Sequence, residues 1–230
     1  MKNFKSIIPF CLVIFLITVV TGCTGKTLVQ EDRQKISSIS IDVNDVSYPD
    51  DKSLIMLNTY ADGWAMFLGG FVGQAIYEEL SDKSPKEVVL HYLRKDQMLK
   101  NTVAEAFKFQ FEKANVFPVS EKNKADAYLI IEIPSLQFHQ ITDKNLRFTG
   151  NYKASLLSST DGRILWSSNV YFSGFNSDLI RYPLEEFLVE SEKLKYALSV
   201  LSQMNAAEFI KKLGGKPVPL NHALHAVNGS

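Results

Sequence analysis

The chain contains two cysteines, and one of them lies where its thiol could undergo a defined reaction. Cys23 ends the sequence Val20-Thr21-Gly22-Cys23, which follows an uncharged stretch over residues 7–20, and Lys2 and Lys5 precede that stretch. Basic residues, an apolar run and then small residues are the order found in a secretory signal and its cleavage site. The uncharged stretch has 14 residues, whereas a bilayer-spanning helix needs roughly 20. The sequence therefore predicts cleavage before Cys23 rather than a transmembrane anchor.

The Val20-Thr21-Gly22-Cys23 sequence resembles the lipobox of bacterial lipoproteins. In those proteins the cysteine is diacylated and becomes the mature N-terminus, so the resemblance implies lipid attachment at Cys23. Each buried methylene contributes about 0.8 kcal/mol, and two or three acyl chains would make the anchor permanent. Residue 24 is Thr and not the Asp that marks inner-membrane retention. The resemblance thus implies an outer-membrane lipoprotein that faces the periplasm.

The composition of the cleaved chain excludes several classes of protein. Removal of residues 1–22 leaves 208 residues, enough for one domain of ordinary size, which we place over residues 36–213. Without Lys2 and Lys5 the net charge is about −2, so we expect no nucleic acid partner. Cys11 leaves with the signal, so the domain has no thiol for a disulfide, for zinc or for catalysis.

The histidines follow no known catalytic or metal-binding pattern. His222 and His225 have ligand spacing but no Cys, Asp or Glu nearby, so we expect no metal there. We interpret His91 as a partly packed surface residue of a helix and His139 as an exposed histidine at a strand end. The alternative for His139 is that it faces a cleft.

Catalytic motifs are missing as well: G-x-S-x-G, G-x-G-x-x-G, H-E-x-x-H and the P-loop do not occur. Asp42 and Glu132, both on predicted strands, are the one carboxylate pair that could act together in acid–base chemistry. Because carboxylates on half-exposed strands are usually solvated, we interpret both as surface residues. The sequence therefore predicts a protein that is not an enzyme and that uses no cofactor or metal.

The N-terminal third combines a tether, a strand and an unusual apolar segment. The polar stretch 23–35 predicts a flexible tether. Alternation from Ile39 to Val43 predicts a strand over residues 36–46. Residues 64–76 carry no charge, and Gly69 and Gly73 form a G-x-x-x-G pair. We interpret this segment as a buried helix; contact with the membrane or with a second copy of the chain is the alternative.

Helix signals dominate two later regions. The sequence Ser84-Pro85-Lys86-Glu87 is typical of a helix start. A second helix is predicted from Asp96 to Asn115, because Asn tolerates the left-handed backbone of a helix end, and a short strand is predicted over 116–119. Periodic apolar residues predict a long C-terminal helix over 184–213 that Gly214-Gly215 ends. Residues 214–230 have no pattern, which predicts a disordered tail.

Strand signals lie between these helices. Residues 127–133 are apolar on both faces, which predicts a central strand. Asp161-Gly162 between alternating runs over 148–159 and 163–172 predicts a hairpin. Aromatic residues concentrate near this hairpin, and we expect some of them in the core; if several were exposed on one face, they would form an apolar binding surface. They are Phe138, Phe148, Tyr152, Trp166, Tyr171, Phe172 and Phe175.

The element order predicts an α+β fold, with a mainly antiparallel sheet and helices on one face. The runs VAEAFKFQFEKANVFPVSEKNKADAYLIIEI and YKASLLSSTDGRILWSSNVYF resemble the periplasmic lipoproteins of the curli-assembly, YajG and penicillin-binding-protein-activator type. The resemblance covers roughly residues 99–172 and concerns structural motifs, so it implies fold more than function. The segment 64–76 departs from that pattern. None of these relatives is an enzyme.

These observations together predict a lipid-anchored, non-enzymatic accessory protein of the cell envelope. It would be held to the membrane through acyl chains on Cys23 and would bind a partner protein in assembly, secretion or transport, as a monomer or a homo-oligomer. The alternative, suggested by residues 64–76 and the aromatic residues, is a lipid-binding or lipid-transfer component. A hydrolase of cell-wall polymer is the third alternative.

Overall fold

The computed structural model describes residues 25–50, 52–58, 85–142, 145–174 and 176–220. Cys23, the apolar segment 64–76 and the pair His222 and His225 lie outside the described residues. The described helices are α1 (Gln30–Lys35), α2 (Pro85–Arg94), α3 (Met98–Ala114), α4 (Leu184–Val189) and α5 (Ser191–Lys212). The strands are β1 (Ile39–Ser40), β2 (Val46–Ser47), β3 (Ile55–Asn58), β4 (Ala127–Gln140), β5 (Asn145–Ser158), β6 (Ile164–Tyr171) and β7 (Arg181–Pro183).

Within the described residues one mixed sheet of seven strands is built around β4. The short strands β1, β2 and β3 pair with β4 in parallel, and the long β5 pairs with it antiparallel. Both β6 and β7 pair antiparallel with β5. Most of the pairing is antiparallel because β4, β5 and β6 are the longest strands, so the α+β class and the central position of β4 are confirmed.

The predicted hairpin is confirmed as β5 and β6. Its turn contains Gly162 at φ 68°, in the left-handed region that glycine adopts without strain. Asp161 Oδ1 accepts from the backbone N–H of Arg163 at 3.1 Å, which fixes the same turn. Local turn chemistry therefore sets the register of the two strands.

Helices α3 and α5 cover the sheet through aromatic side chains. Phe107 of α3 stacks against Tyr152 of β5, with ring centroids 6.3 Å apart. Phe209 of α5 contacts Phe107 at 6.1 Å and Trp166 of β6 at 5.8 Å. Trp166 is a core residue, one of the aromatic residues near the hairpin of which some were expected in the core. This aromatic cluster ties both long helices to the sheet.

Most of the other hairpin aromatics are core residues too. Phe138, Phe148 and Tyr152 are fully buried, whereas Tyr171 is half exposed and Phe172 is half-buried; Phe175 lies outside the described residues. Burial in the core also raises the pKa of the Tyr152 hydroxyl, which bonds to Ser202 Oγ at 3.0 Å. Most of the described hairpin aromatics therefore build core rather than an apolar binding face.

The prediction of one strand over 36–46 is wrong, because the chain turns between β1 and β2. Asp42 accepts hydrogen bonds from the backbone N–H and the side-chain amide of Asn44, both at 2.8 Å. This Asx turn starts a 3₁₀ turn over Val43–Asp45. A short side chain that bonds its own backbone thus overrides the alternating apolar pattern. The strand predicted over 116–119 is reduced to one bridge, between Val119 and Ile39.

The helices differ from the predictions in two places. Helix α3 begins at Met98 rather than Asp96, because Asp96 and Gln97 both have left-handed backbone, with φ of 51° and 55°. Its end is confirmed, with Asn115 left-handed at φ 49°. The C-terminal helix is split at Glu190 into α4 and α5. Lys193 holds this corner by bonding Glu186 at 2.7 Å and Glu190 at 2.9 Å.

The predicted flexible tether is wrong over its described part, residues 25–35. This stretch contains α1, whose Asp32 is buried against Arg163. Among the described tail residues, 214–220 form no helix or strand, as predicted, but Leu220 packs against the core. The domain therefore includes residues on both sides of the range 36–213.

Candidate functional site: a polar groove and an attachment edge at opposite ends of α5

The two regions that could carry function lie at the two ends of α5. Near its start, the first turns of α3 and α5 and the α2–α3 junction enclose a groove of about 370 Å³, which we call the α3–α5 groove. Near its end, Gly25 and Lys26 pack on the outer edge of β6; we call this edge, with the chain that continues from it into α1, the attachment edge. Helix α5 has 22 residues, so about 33 Å separates its two ends.

The wall of the α3–α5 groove contains an unusual backbone. Asp96 and Gln97 are consecutive left-handed residues, and neither is glycine. Such conformations cost of the order of 1–3 kcal/mol each and tend to occur at functional sites. Asn101 stabilises this corner, because its side-chain amide donates to the Asp96 carbonyl at 2.9 Å. The corner turns the chain from α2 into α3 and shapes the mouth of the groove.

Hydrogen-bonding groups line the groove. The hydroxyl of Thr102 is fully buried and has no hydrogen-bond partner among the described residues. The N-cap residues of α3 and α5, Gln97 and Glu190, make no side-chain capping bond. Backbone N–H groups in the first turn of a helix have no partner within that helix. The two helix starts therefore offer backbone donors to an acceptor such as a carbonyl or carboxylate oxygen, while the Thr102 hydroxyl lies beneath the groove surface.

Charges of both signs surround these donors. Lys95 and Lys195 contribute ammonium groups, and Asp96, Glu105 and Glu192 contribute carboxylates. Such a lining suits a polar segment that carries both signs, and it does not suit an acyl chain, since burying unpaired charge against hydrocarbon is costly. The groove resembles a polar interface more than a lipid cavity.

The attachment edge is built by backbone contact between the start of the described chain and β6. The backbone N–H of Lys26 donates to Ser167 Oγ at 3.0 Å, and the backbone N–H of Ser167 donates to the Lys26 carbonyl at 2.9 Å. A Cβ placed on Gly25 would lie 2.1 Å from the Ser167 carbonyl oxygen. Only glycine allows the two backbones to approach this closely.

Helix α1 is fixed to the same region by Arg163. Its guanidinium donates to both oxygens of Asp32, at 3.2 and 3.0 Å, and holds the pKa of that carboxyl below its ordinary value. Arg33 lies over the ring of Phe117 and donates to the carbonyl of Leu213, just beyond α5. The N-terminal stretch is therefore attached to the hairpin and to the end of α5.

His139 does not stand exposed at a strand end and does not face the α3–α5 groove. It is half-buried, and burial lowers its pKa. Its Nε2 lies 2.9 Å from Gln137 Oε1 and 3.4 Å from the Tyr171 hydroxyl. Gly174 packs against its ring, where a Cβ would lie 2.6 Å from Cγ. These contacts give His139 a packing role within the sheet.

Asp42 and Glu132, the carboxylates considered for acid–base chemistry, have separate partners. Asp42 caps its own turn, and the Asn44 N–H groups lower its pKa, while Glu132 pairs with Lys153 at 3.1 Å on the exposed surface. Glu132 is therefore a surface residue, as predicted. His91 is exposed on α2. No group of three metal-ligating side chains that could hold an ion occurs among the described residues.

The sequence did not indicate the α3–α5 groove. Its lining comes from two stretches about 100 positions apart, around Lys95 and Lys195, and the left-handed Asp96-Gln97 corner has no glycine or asparagine to signal it. Among the described helices, none is both long and apolar enough to pass through a bilayer. Comparison of the chain with known family models, curated proteins and solved structures finds no match.

Proposed function

We propose that this protein is a lipid-anchored, non-enzymatic accessory of the cell envelope that binds a partner protein. The observation that carries the proposal is the Val20-Thr21-Gly22-Cys23 sequence at the end of a signal-like stretch. Diacylglyceryl transfer would replace the S–H bond of Cys23 with a thioether: the C–O bond between the diacylglyceryl group and the phosphate of a membrane phospholipid breaks, and the phosphorylated headgroup leaves with the thiol proton. Hydrolysis of the Gly22–Cys23 peptide bond would then make Cys23 the N-terminus. Thr24 after Cys23 favours the outer membrane, on its periplasmic side, as the destination of the mature protein.

The attachment edge supports anchoring near the domain. Only Thr24 lies between Cys23 and Gly25, and Gly25 packs on the Ser167 backbone. A mature N-terminus at Cys23 would therefore leave the domain beside the membrane without a long linker. Such a placement suits a protein that works at the membrane surface by binding.

The α3–α5 groove supports a protein partner at the other end of α5. It combines a buried, unpartnered hydroxyl at Thr102, two uncapped helix starts and charges of both signs. A polar peptide segment supplies carbonyl acceptors and complementary charges in one ligand. The lipid-binding alternative has less support, because the described aromatic residues that suggested it are mostly buried in the core.

Crosslinking in intact cells tests both parts of the proposal. A photo-crosslinking amino acid replaces Lys195 in the groove, and in a control chain it replaces Lys153, which is exposed on β5. We expect the protein in the membrane fraction and an adduct of one defined mass at position 195 but not at position 153. The Cys23→Ser variant should leave the membrane fraction.

The results that would contradict the proposal are distinct. A wild-type protein that fractionates without the membrane would overturn the anchor. A membrane-bound protein that gives no adduct at position 195 would overturn partner binding at the groove. An adduct at both positions would show that capture does not depend on the groove.

A further inference from the structure

The position of Cys23 is restricted by the chain that follows it. A residue spans at most about 3.6 Å, so the Cα of Cys23 lies within about 7 Å of the Cα of Gly25. Gly25 and Lys26 are held on the outer edge of β6 by contact with Ser167. An acyl group on Cys23 would thus enter the membrane directly beside this edge.

Basic side chains lie along the attachment edge. The Lys26 ammonium donates to the Ile164 carbonyl. Lys212, the last residue of α5, donates to Ser168 Oγ at 2.9 Å and to the Asn169 carbonyl at 2.7 Å. Both ammonium groups therefore bond to uncharged oxygens of β6 and keep their positive charge available to a nearby anion.

The acidic residues of this region are paired with basic ones. Glu31 bonds Lys35 at 2.7 Å, Asp32 bonds Arg163 at 3.0 Å, and Glu208 bonds Lys211. Asp161 of the hairpin turn lies 3.7 Å from the same Arg163. Lys26 and Lys212 thus add positive charge to a region where the acidic side chains are already matched.

Exposed apolar side chains accompany the basic ones. Val29 is 55% exposed and Ile164 is 46% exposed. They are two of the five large apolar side chains that are exposed within the described part of the chain, and both lie beside the Lys26 segment. Apolar residues next to lysines are typical of surfaces that contact the membrane interface.

We propose that the attachment edge rests against the bilayer that carries the anchor, with Lys26 and Lys212 on anionic phospholipid headgroups and Val29 and Ile164 at the interface. This inference rests on the proposed acylation of Cys23. Basic residues close to an anionic membrane surface are attracted to its headgroups. The α3–α5 groove, at the other end of α5, then faces away from the membrane and is accessible to a partner.

Fluorescence quenching in vesicles tests this orientation with a matched pair of positions. The lipidated mature protein, residues 23–230, is placed in vesicles of phosphatidylethanolamine and phosphatidylglycerol that contain a headgroup-spin-labelled lipid. Val29→Cys and Val189→Cys each receive one bimane label, since Cys11 has left with the signal and the sulfur of Cys23 is held in a thioether. Val189 is similarly exposed, at 47%. It is the last residue of α4 and lies beside the start of α5, at the end away from the attachment edge, so it is the control for Val29.

We expect quenching at position 29 to exceed quenching at position 189 at least threefold. Lys26→Ala with Lys212→Ala should reduce quenching at position 29, while Lys95→Ala with Lys195→Ala should not. Vesicles of phosphatidylcholine alone should also reduce it. Equal quenching at the two positions would overturn the orientation. Quenching at position 29 that stays the same in the Lys26→Ala, Lys212→Ala variant and in phosphatidylcholine vesicles would overturn the headgroup contact.

Flotation of the same vesicles separates the two proposals. Protein that floats with the vesicles but shows equal quenching contradicts the orientation alone. Protein that does not float contradicts the anchor and the orientation together.

Discussion

The two ends of α5 differ in which residues adopt the unusual backbone geometry and in whether the polar groups there are hydrogen-bonded. At the attachment edge a glycine, Gly25, allows two backbones to meet. The backbone of Lys26 and the guanidinium of Arg163 are hydrogen-bonded within the domain. At the α3–α5 groove two residues with side chains, Asp96 and Gln97, take the left-handed backbone, and the hydroxyl of Thr102 is buried without a partner. The first end is satisfied within the domain, whereas the second leaves donors for another molecule.

The difference suggests that the two ends of α5 have different roles, one in positioning the domain and the other in binding. A satisfied surface suits a fixed position against the membrane, while strain and unpaired donors tend to occur where a protein binds. The same aromatic cluster holds α5 in place at both ends, because Phe209 packs α5 against α3 and against β6. Variants can therefore disrupt both ends together or each end alone.

The largest expected effect comes from Phe209→Ala. Phe209 is fully buried between Phe107 and Trp166, so its truncation should lower the free energy of unfolding by about 3–5 kcal/mol. Urea unfolding followed by tryptophan fluorescence and by circular dichroism would measure this loss. Phe209→Leu should cost less, and a loss below 1 kcal/mol for the alanine variant would contradict the role of this ring.

Gly25→Val should disturb the attachment edge and leave the groove intact. The new Cβ would lie 2.1 Å from the Ser167 carbonyl oxygen, so residues 25–26 must move, at a cost of about 1–3 kcal/mol. Hydrogen exchange should show faster exchange of the Ser167 amide and unchanged amides in α3. Thr27→Val, at a nearby exposed position, is the control; unchanged Ser167 exchange in the glycine variant would refute the contact.

Gln97→Gly should stabilise the domain while changing the groove. Glycine adopts left-handed backbone freely, so relief of strain should raise the free energy of unfolding by about 1 kcal/mol. Asn115→Gly is the matched control, because Asn tolerates the left-handed φ of 49° found there, and its effect should be smaller. A destabilised Gln97→Gly protein would show that its side chain contributes more than its backbone strain costs.

Asp32 should give the attachment edge a small dependence on acid. Arg163 lowers the pKa of Asp32 in the folded state, so this pair stabilises the fold above the unfolded pKa of about 3.9. The contribution is lost as pH falls through the lower folded pKa. Asp32→Asn should therefore flatten the decline in urea midpoint between pH 5 and pH 2, and an unchanged decline would argue against the pair; Glu31→Gln on the same helix is the control.

Local chemistry predicted the elements that depend on nearby residues. The hairpin turn at Asp161-Gly162 and the end of α3 at Asn115 follow from backbone preferences of single residues. The central strand β4 follows from apolar residues on both faces. These features need no knowledge of distant parts of the chain.

Long-range contacts decided what the sequence could not predict. The polar stretch 25–35 was predicted as a tether because its partners, Ser167 and Arg163, lie more than 130 positions away. The strand predicted over 36–46 is interrupted by a turn, because Asp42 accepts a hydrogen bond from the Asn44 N–H. The α3–α5 groove depends on how two helix starts pack together, and neither start carries a sequence signal for it.

Anchoring at Cys23 is the central claim, and mass spectrometry of the mature N-terminus tests it most directly. Trypsin would release residues 23–26 from membrane-extracted protein, since Lys26 is the next basic residue. We predict a peptide that begins at Cys23 and carries the mass of a diacylglyceryl group, with or without a further acyl chain. An unmodified Cys23, or a mature chain that retains residues 1–22, would contradict it.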